Sequence, residues 1–168
     1  MAKRLAARLS TLTLCLGILL WSGCSNYLKP EVGAVARKGA RIALAGDVPA
    51  KSWETGDLIF KYSLAQKDQS YTLTGILTFT DSLTYTYPQV ANFIFYLSFV
   101  DDGGKVVETF DLSPILNTFG TVPDRIPIRL SFVRPPGSSA IVFSYQGRFF
   151  DNQRESNGSW DIHYFPFN

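Results

Sequence analysis

The sequence predicts an all-β protein, an antiparallel β-sandwich of about seven strands. Three observations lead to this fold class. Apolar and polar side chains alternate with a period of two in many segments after residue 53, turn-forming Gly, Pro, Asn and Asp residues separate those segments, and no long amphipathic helix pattern occurs. Aromatic residues also make up 14% of the chain, and their preference for a half-buried pleated surface supports strands over helices.

The predicted strands follow one another from Leu58 to the end of the chain. The clearest is Tyr71–Thr80, in which apolar residues and one glycine occupy one face and mainly threonines occupy the other. Phe93–Val100 is apolar on both faces, which indicates a central strand, and Asp101–Gly104 after it has the residues that a tight hairpin needs. The remaining predicted strands are Leu58–Leu64, Lys105–Asp111, Ile126–Val133, Ala140–Phe150 and a last one that contains Trp160, Ile162 and Tyr164. The aromatic residues that alternate along these strands are predicted to be core.

Two further elements and one alternative architecture complete the predicted fold. The only predicted helix is a short turn around Pro114–Phe119, and the alternation of Ile42 and Leu44 allows an additional strand within Arg41–Val48. An eight-stranded transmembrane barrel would need a continuous apolar band on its outward face. The second face of the predicted strands is mostly Thr, Ser, Gln, Arg and Asp, which favours the sandwich.

The first 23 residues have the three regions of a secretory signal peptide. Lys3, Arg4 and Arg8 give a basic start, Leu9–Trp21 is an apolar run, and small residues follow it. A permanent transmembrane helix would need roughly 20 apolar residues to cross a bilayer core. The run from Leu9 is shorter and contains polar serine and threonine, so residues 1–23 are predicted to be a cleaved signal.

The end of this signal, Leu20-Trp21-Ser22-Gly23-Cys24, resembles the lipobox of bacterial lipoproteins, which is an apolar residue, two small residues and an invariant cysteine. Trp21 stands where a leucine is usual. The resemblance implies lipid on the sulfur of Cys24, cleavage between Gly23 and Cys24, and acylation of the new amino group. Because no Asp follows Cys24, the resemblance also implies the outer membrane of a Gram-negative host, facing the periplasm. The alternative is an ordinary secretory signal with a chance cysteine.

Residue counts exclude several functions for the chain that remains after cleavage. Cys15 would be removed and Cys24 lipidated, which leaves no thiol for a disulfide, a nucleophile or a metal site. The single histidine, His163, is predicted to face solvent, and no nucleotide or other cofactor motif occurs. Loss of the three basic signal residues lowers the formal charge from +2 to −1, so a nucleic-acid partner is not expected. No catalytic residue is predicted.

Residues 24–52 are predicted to be a lipidated N-terminus and flexible tether, and residues 53–168 the sandwich domain. The stretch Ser25–Ser52 is rich in alanine and glycine and has few large apolar side chains. As a flexible coil it would span on the order of 30 Å. Arg37, Lys38 and Arg41 form a basic cluster in this stretch, which either contacts anionic head groups or is simply solvated.

Phe93–Val107 combines an apolar strand, an Asp-rich glycine turn and two valines, and it resembles one hairpin of the FxLYD-type immunoglobulin-like domains of bacterial envelope proteins. The resemblance implies an immunoglobulin-like sandwich and brings no active site with it. Tyr85, Tyr87 and Phe167 form the candidate interaction surface, since exposed aromatic residues are common at contacts. We expect a non-enzymatic structural or protein-interaction module on an envelope membrane. The alternative is a periplasmic lipoprotein that binds sugar or another small ligand through loop aromatics.

Overall fold

The computed structural model describes residues 28–44, 46–68, 70–152 and 158–168, and over these residues the chain is a β-sandwich of two antiparallel sheets. This confirms the predicted fold class, although the described residues form ten strands and not about seven, two of them only two residues long. The one α-helix of the described residues is α1 (Asp81–Thr86), and a 3-10 turn spans Lys38–Ala40. The strands are β1 (Ile42–Ala43), β2 (Val48–Glu54), β3 (Leu58–Lys67), β4 (Ser70–Phe79), β5 (Gln89–Val100), β6 (Val106–Asp111), β7 (Gly120–Thr121), β8 (Ile126–Val133), β9 (Ala140–Phe150) and β10 (Ser159–Tyr164).

The six-stranded sheet is called the first sheet and the four-stranded sheet the second. The second sheet has the strand order β2-β3-β4-β8. Strands β3 and β4 form a hairpin in register from Leu58 opposite Phe79 to Lys67 opposite Ser70. The apolar face predicted for β4 is buried in the sandwich, whereas its threonine face is turned outward. Period-two alternation therefore assigned the two faces of this strand correctly.

The first sheet is built around β5 and β9, which pair along their whole length. Strands β6 and β7 pair with the other side of β5, and β1 and β10 pair with the other side of β9. The predicted central position of Phe93–Val100 is thus confirmed. The predicted hairpin turn is also present: Gly104 has φ +85°, and its N–H donates to the Asp101 carbonyl at 2.9 Å.

Aromatic side chains fill the space between the sheets. Phe60 meets Phe95 and Phe143 edge to face, with ring centroids 5.2 and 5.3 Å apart and interplanar angles of 85° and 87°. Phe99 and Phe132 make a similar contact from the two sheets at 5.0 Å. Each fully buried ring contributes about 1.5–3 kcal/mol of apolar burial, with roughly 0.5–1.5 kcal/mol more for a well-oriented pair. The part of the chain that the structure describes contains no cysteine, so this core and not a disulfide stabilises it.

The predicted tether is wrong for the part of it that the structure describes. Residues 28–36 cross the outer face of the first sheet. The Leu28 N–H donates to the Gln146 side chain at 3.2 Å, and Thr109 donates its hydroxyl to the Pro30 carbonyl at 3.1 Å. The N–H of Ala36 then donates to the Gly104 carbonyl at 2.8 Å, and strands β1 and β2 follow. Small side chains caused the error, because they allow this segment to pack closely against a sheet as well as to form a coil.

The C-terminal residues complete the same layer. The Arg37 N–H donates to the Pro166 carbonyl at 2.8 Å, and Ala36 and Phe167 form an antiparallel bridge. These terminal segments cover side chains of the first sheet that point away from the sandwich core. Four such side chains are buried for this reason: Ser98, Val100, Val142 and Ser144. We call residues 28–41 and 165–168 the outer layer. The first sheet is therefore covered on both faces.

The helix prediction is also wrong in position. Residues 114–119 are not helical, and the N–H of Phe119 donates to the Val90 carbonyl as the chain enters β7. The helix is α1, which begins after Thr80 with Asp81 in its first turn and ends at Thr86. The N–H of the next residue, Tyr87, donates to the Leu83 carbonyl at 2.8 Å. Leu83 is the one buried residue of this helix, and a single buried residue leaves no periodic pattern to read. No helix within the described residues has the length and apolar character to span a bilayer.

Candidate functional site

An open groove at one end of the sandwich is lined by both aromatic and polar side chains. It has a volume of about 360 Å³ and lies between the turn that joins β2 to β3, helix α1, and the start of β10. Its size is at the lower limit of small-molecule sites in proteins. Its lining residues are Gly56, Asp57, Ser82, Leu83, Thr86, Tyr87 and Trp160. We call this feature the aromatic groove.

Helix α1 forms one wall of the groove. Leu83 is buried and joins the core, so the helix is fixed on the sandwich by its inward face. Thr86 donates its hydroxyl to the Ser82 carbonyl at 3.4 Å, which places both residues on the same side of the helix. Pro88 follows Tyr87 and cannot continue the helix. The chain therefore leaves the helix at Tyr87 and carries that ring into the groove.

The aromatic surface of the groove is a stacked pair, Tyr87 and Trp160. Their ring centroids are 6.1 Å apart with an interplanar angle of 18°. Tyr87 also packs against the hydrophobic core, whereas Trp160 keeps 52% of its surface exposed. Trp and Tyr are enriched at the energetic centres of protein interfaces, so a stacked Tyr–Trp pair with open surface is a candidate binding site.

The polar wall of the groove is held by a hydrogen-bond network that joins the two sheets. Tyr145 on β9 donates its hydroxyl to Asp57 at 2.6 Å, and its oxygen lies 2.8 Å from the Thr55 hydroxyl. Burial raises the pKa of Tyr145, and the hydrogen bond to Asp57 raises this pKa further. The tyrosine therefore stays protonated and serves as a fixed donor. Trp53 packs edge-on against the Tyr145 ring with centroids 6.1 Å apart, which makes the wall rigid.

Replacement of Tyr145 by phenylalanine should lower the free energy of unfolding by about 1–2 kcal/mol. The ring would remain, but the hydrogen bond to the Asp57 carboxylate would be lost, and bonds to charged groups are worth more than neutral ones. Tyr71→Phe is the matched control. Tyr71 is equally buried, and its hydroxyl donates to the neutral Gln66 side chain at 2.8 Å. Denaturant melts should show the larger loss for Tyr145→Phe, and equal losses would contradict the role of the carboxylate.

The three predicted interaction residues have different positions in the structure. Tyr85 is 92% exposed on α1, and Tyr87 lies in the aromatic groove. Phe167 is only 7% exposed, so its assignment to a surface is wrong. It packs in a second hydrophobic cluster between the outer layer and the first sheet, which a reading of the isolated C-terminus could not show. Gly23 and Cys24 lie outside the described residues.

Trp160 is the groove residue that sequence reasoning missed. Alternation places it on the same face of β10 as Ile162 and Tyr164, and it was therefore predicted to be core. Ile162 is buried and Tyr164 is partly buried, but Trp160 is exposed at the beginning of the strand. Alternation assigns a residue to a face of a sheet and does not reveal whether the opposite sheet extends over it. The signal that the sequence offered was the place of Trp160 at the start of a strand, next to the turn residues Asn157 and Gly158.

The other polar groups considered in the sequence are exposed or have structural roles. His163 is exposed, as predicted. Asp101 accepts a hydrogen bond from the Lys105 N–H at 2.8 Å and so stabilises its own turn. Within the described ranges no three His, Cys, Asp or Glu side chains come together in a way that could hold a metal ion. The groove offers recognition by aromatic stacking, hydroxyl groups and one carboxylate.

These features define the class of protein: a two-sheet antiparallel β-sandwich with an additional outer layer on one sheet and an open aromatic groove at one end. Comparison of the chain with protein-family models, with curated proteins and with solved structures found no match.

Proposed function

We propose that this chain is a non-enzymatic envelope lipoprotein, anchored through lipid on Cys24 to the outer membrane and facing the periplasm. In this proposal the sandwich is an interaction module, and the aromatic groove is its recognition surface. The observation that carries the proposal is the exposed Trp160 ring stacked on Tyr87. The lipobox resemblance of residues 20–24 supports the anchor.

The surroundings of Trp160 favour contact with a partner protein. Interface hot spots are enriched in Trp and Tyr, and they are surrounded by polar groups that exclude water from the contact. Here the aromatic pair is bordered by the hydroxyl groups of Ser82 and Thr86 and by the carboxylate of Asp57. The fixed helix and the Tyr145–Asp57 hydrogen bond hold this surface in one arrangement. A preformed surface binds with a smaller loss of conformational entropy.

Trp160→Ala should weaken partner binding by at least about tenfold, since a hot-spot residue contributes 2 kcal/mol or more. The measurement is quantitative recovery of envelope proteins cross-linked to the full-length lipoprotein in intact cells. Tyr85→Ala is the matched control, because Tyr85 is an aromatic residue more exposed than Trp160 and lies on α1 without lining the groove. Equal recovery with wild type and Trp160→Ala would exclude the groove as the recognition surface.

A second candidate function is binding of a sugar, and the polar lining of the same groove favours it. The flat apolar face of a pyranose ring can stack on Trp160, and its hydroxyl groups can donate to the Asp57 carboxylate. After signal cleavage the only tryptophans are Trp53 and Trp160. A saturable fluorescence change on titration with defined oligosaccharides, lost in Trp160→Phe, would support this candidate. If no oligosaccharide changes the fluorescence, the sugar candidate is excluded and binding of a partner protein stays as the proposed function.

A further inference from the structure

The length of chain between the lipid site and the folded domain is very short. Only Ser25, Asn26 and Tyr27 separate Cys24 from Leu28. Four residue steps span at most about 14 Å, even when fully extended. Leu28 is already held by its hydrogen bond to Gln146, and Pro30 two residues later is buried. A lipid on Cys24 therefore keeps Leu28, the first residue of the outer layer, within about 14 Å of the lipidated residue, rather than at the end of the roughly 30 Å tether that composition suggested.

The exposed side chains of the outer layer suit a head-group environment. Val32 is 76% exposed, and Leu28 and Val35 are also exposed large apolar residues in the same short stretch. Three exposed basic residues lie beside them, and two exposed acidic residues border the same surface: Lys29, Arg37 and Lys38 against Glu31 and Glu108. Apolar groups with flanking basic side chains are typical of surfaces that contact a bilayer interface, where each basic residue adds about 1 kcal/mol near anionic lipid.

The opposite side of the molecule, the outer face of the second sheet, also carries apolar and basic side chains such as Ile76 and Lys61, and it differs from the outer layer in its distance from Cys24. The outer face of the second sheet carries hydroxyl groups, and those of Thr72 and Ser131 lie 3.1 Å apart. Val133 is 62% exposed on this face. Because packed sheets are about 10 Å apart, this residue is separated from the outer layer by the full thickness of the sandwich.

We infer that the outer layer is a membrane-docking surface, and that it lies against the phospholipid head groups of the membrane that holds Cys24. The inference rests on the proposed lipid anchor. Docking holds the domain in one orientation, with the second sheet facing away from the bilayer. The aromatic groove then stands at an end of the sandwich and stays accessible, so a partner must reach it close to the membrane surface.

The docked orientation can be measured with single cysteines, because the mature chain has no other free thiol once Cys24 is lipidated. Val32→Cys and Val133→Cys are matched, since both replace an exposed valine. Each full-length lipoprotein is reconstituted into phosphatidylethanolamine–phosphatidylglycerol vesicles, labelled with a fluorophore, and quenched by a nitroxide carried on the lipid head group. We expect quenching several-fold stronger at position 32 than at position 133.

Two results separate failure of the inference from failure of the anchor. Flotation of the vesicles reports anchoring independently of the fluorophore. Protein that floats but is quenched equally at both positions would overturn the docked orientation and leave the anchor intact. Protein that does not float would overturn the anchor and, with it, the inference. Insertion of 30 Gly and Ser residues after Ser25 gives a coil of roughly 30 Å, and we expect it to reduce quenching at position 32 toward the value at position 133.

Discussion

Cys24→Ala should abolish incorporation of labelled palmitate into the protein and leave an uncleaved precursor. In the proposed maturation the sulfur of Cys24 receives the first lipid, and cleavage before this residue depends on that modification. The expected loss is complete rather than partial, because only two cysteines occur in the chain and Cys15 lies within the signal. The measurement is labelling of whole cells followed by gel mobility of the immunoprecipitated protein.

Cys15→Ala is the matched control for this experiment. It removes the other cysteine from the apolar run, where alanine is equally acceptable, so labelling and cleavage should both stay at the wild-type level. Continued palmitate incorporation in Cys24→Ala would refute the anchor. The same result would also remove the basis for the membrane-docked outer layer, because without lipid on Cys24 the short segment from Cys24 to Leu28 would not hold the domain near a membrane.

Gly75→Val should lower the free energy of unfolding by about 3 kcal/mol. Gly75 lies on β4 and faces the core, where an added Cβ would be 2.5 Å from the Phe60 ring and 2.8 Å from the Lys61 carbonyl oxygen. The Phe60 ring cannot move aside, because it is enclosed by Phe95, Phe143 and the stacked ring of Tyr62. The Lys61 carbonyl oxygen cannot move aside either, because it belongs to the backbone of the paired strand β3. The excess volume must therefore distort the sheet.

Gly39→Ala is the control for Gly75→Val. A Cβ at Gly39 would meet no atom within 4 Å, and this residue needs no positive φ. Its effect on urea melting should stay within about 0.5 kcal/mol. Partial recovery of Gly75→Val by Phe60→Leu, which makes room at the same point, would confirm that steric overlap is the cause. Equal stability of Gly75→Val and Gly39→Ala would contradict the packing described for the core.

Strand positions were the most predictable part of this protein. Ile126–Val133 and Ala140–Phe150 have the predicted bounds, and the turn at Asp101–Gly104 is present as expected. These features depend on local alternation and on turn chemistry, both of which are visible within a few residues. Two-residue strands such as β1 and β7 have too few positions to show alternation, and they exist because a neighbouring strand supplies their hydrogen bonds.

The candidate site was predicted in part. Tyr87 was predicted to be an interaction residue because it lies between strands and next to a proline; it lines the aromatic groove, and its part in an interaction stays a prediction. Its stacking partner Trp160 was assigned to the core, and Phe167 was assigned to the surface, which is the reverse of their positions in the structure. Both errors have one cause: the exposure of an aromatic ring depends on which distant segment covers it. Asp57 gave no signal, since its hydrogen bond joins residues 88 positions apart.

The amino-acid sequence alone was sufficient for the β-sandwich class and for the inner faces of the main strands, because both follow from periodicity within single segments. Long-range packing determined the outer layer, the burial of Phe167 and the exposure of Trp160. The same small residues between Ser25 and Ser52 are compatible with a coil or with a closely packed layer. Hydrogen bonds from this stretch to Gly104, Thr109 and Gln146 select the packed layer, and these partners lie about 70 to 120 residues away in the chain, beyond the range of any local pattern.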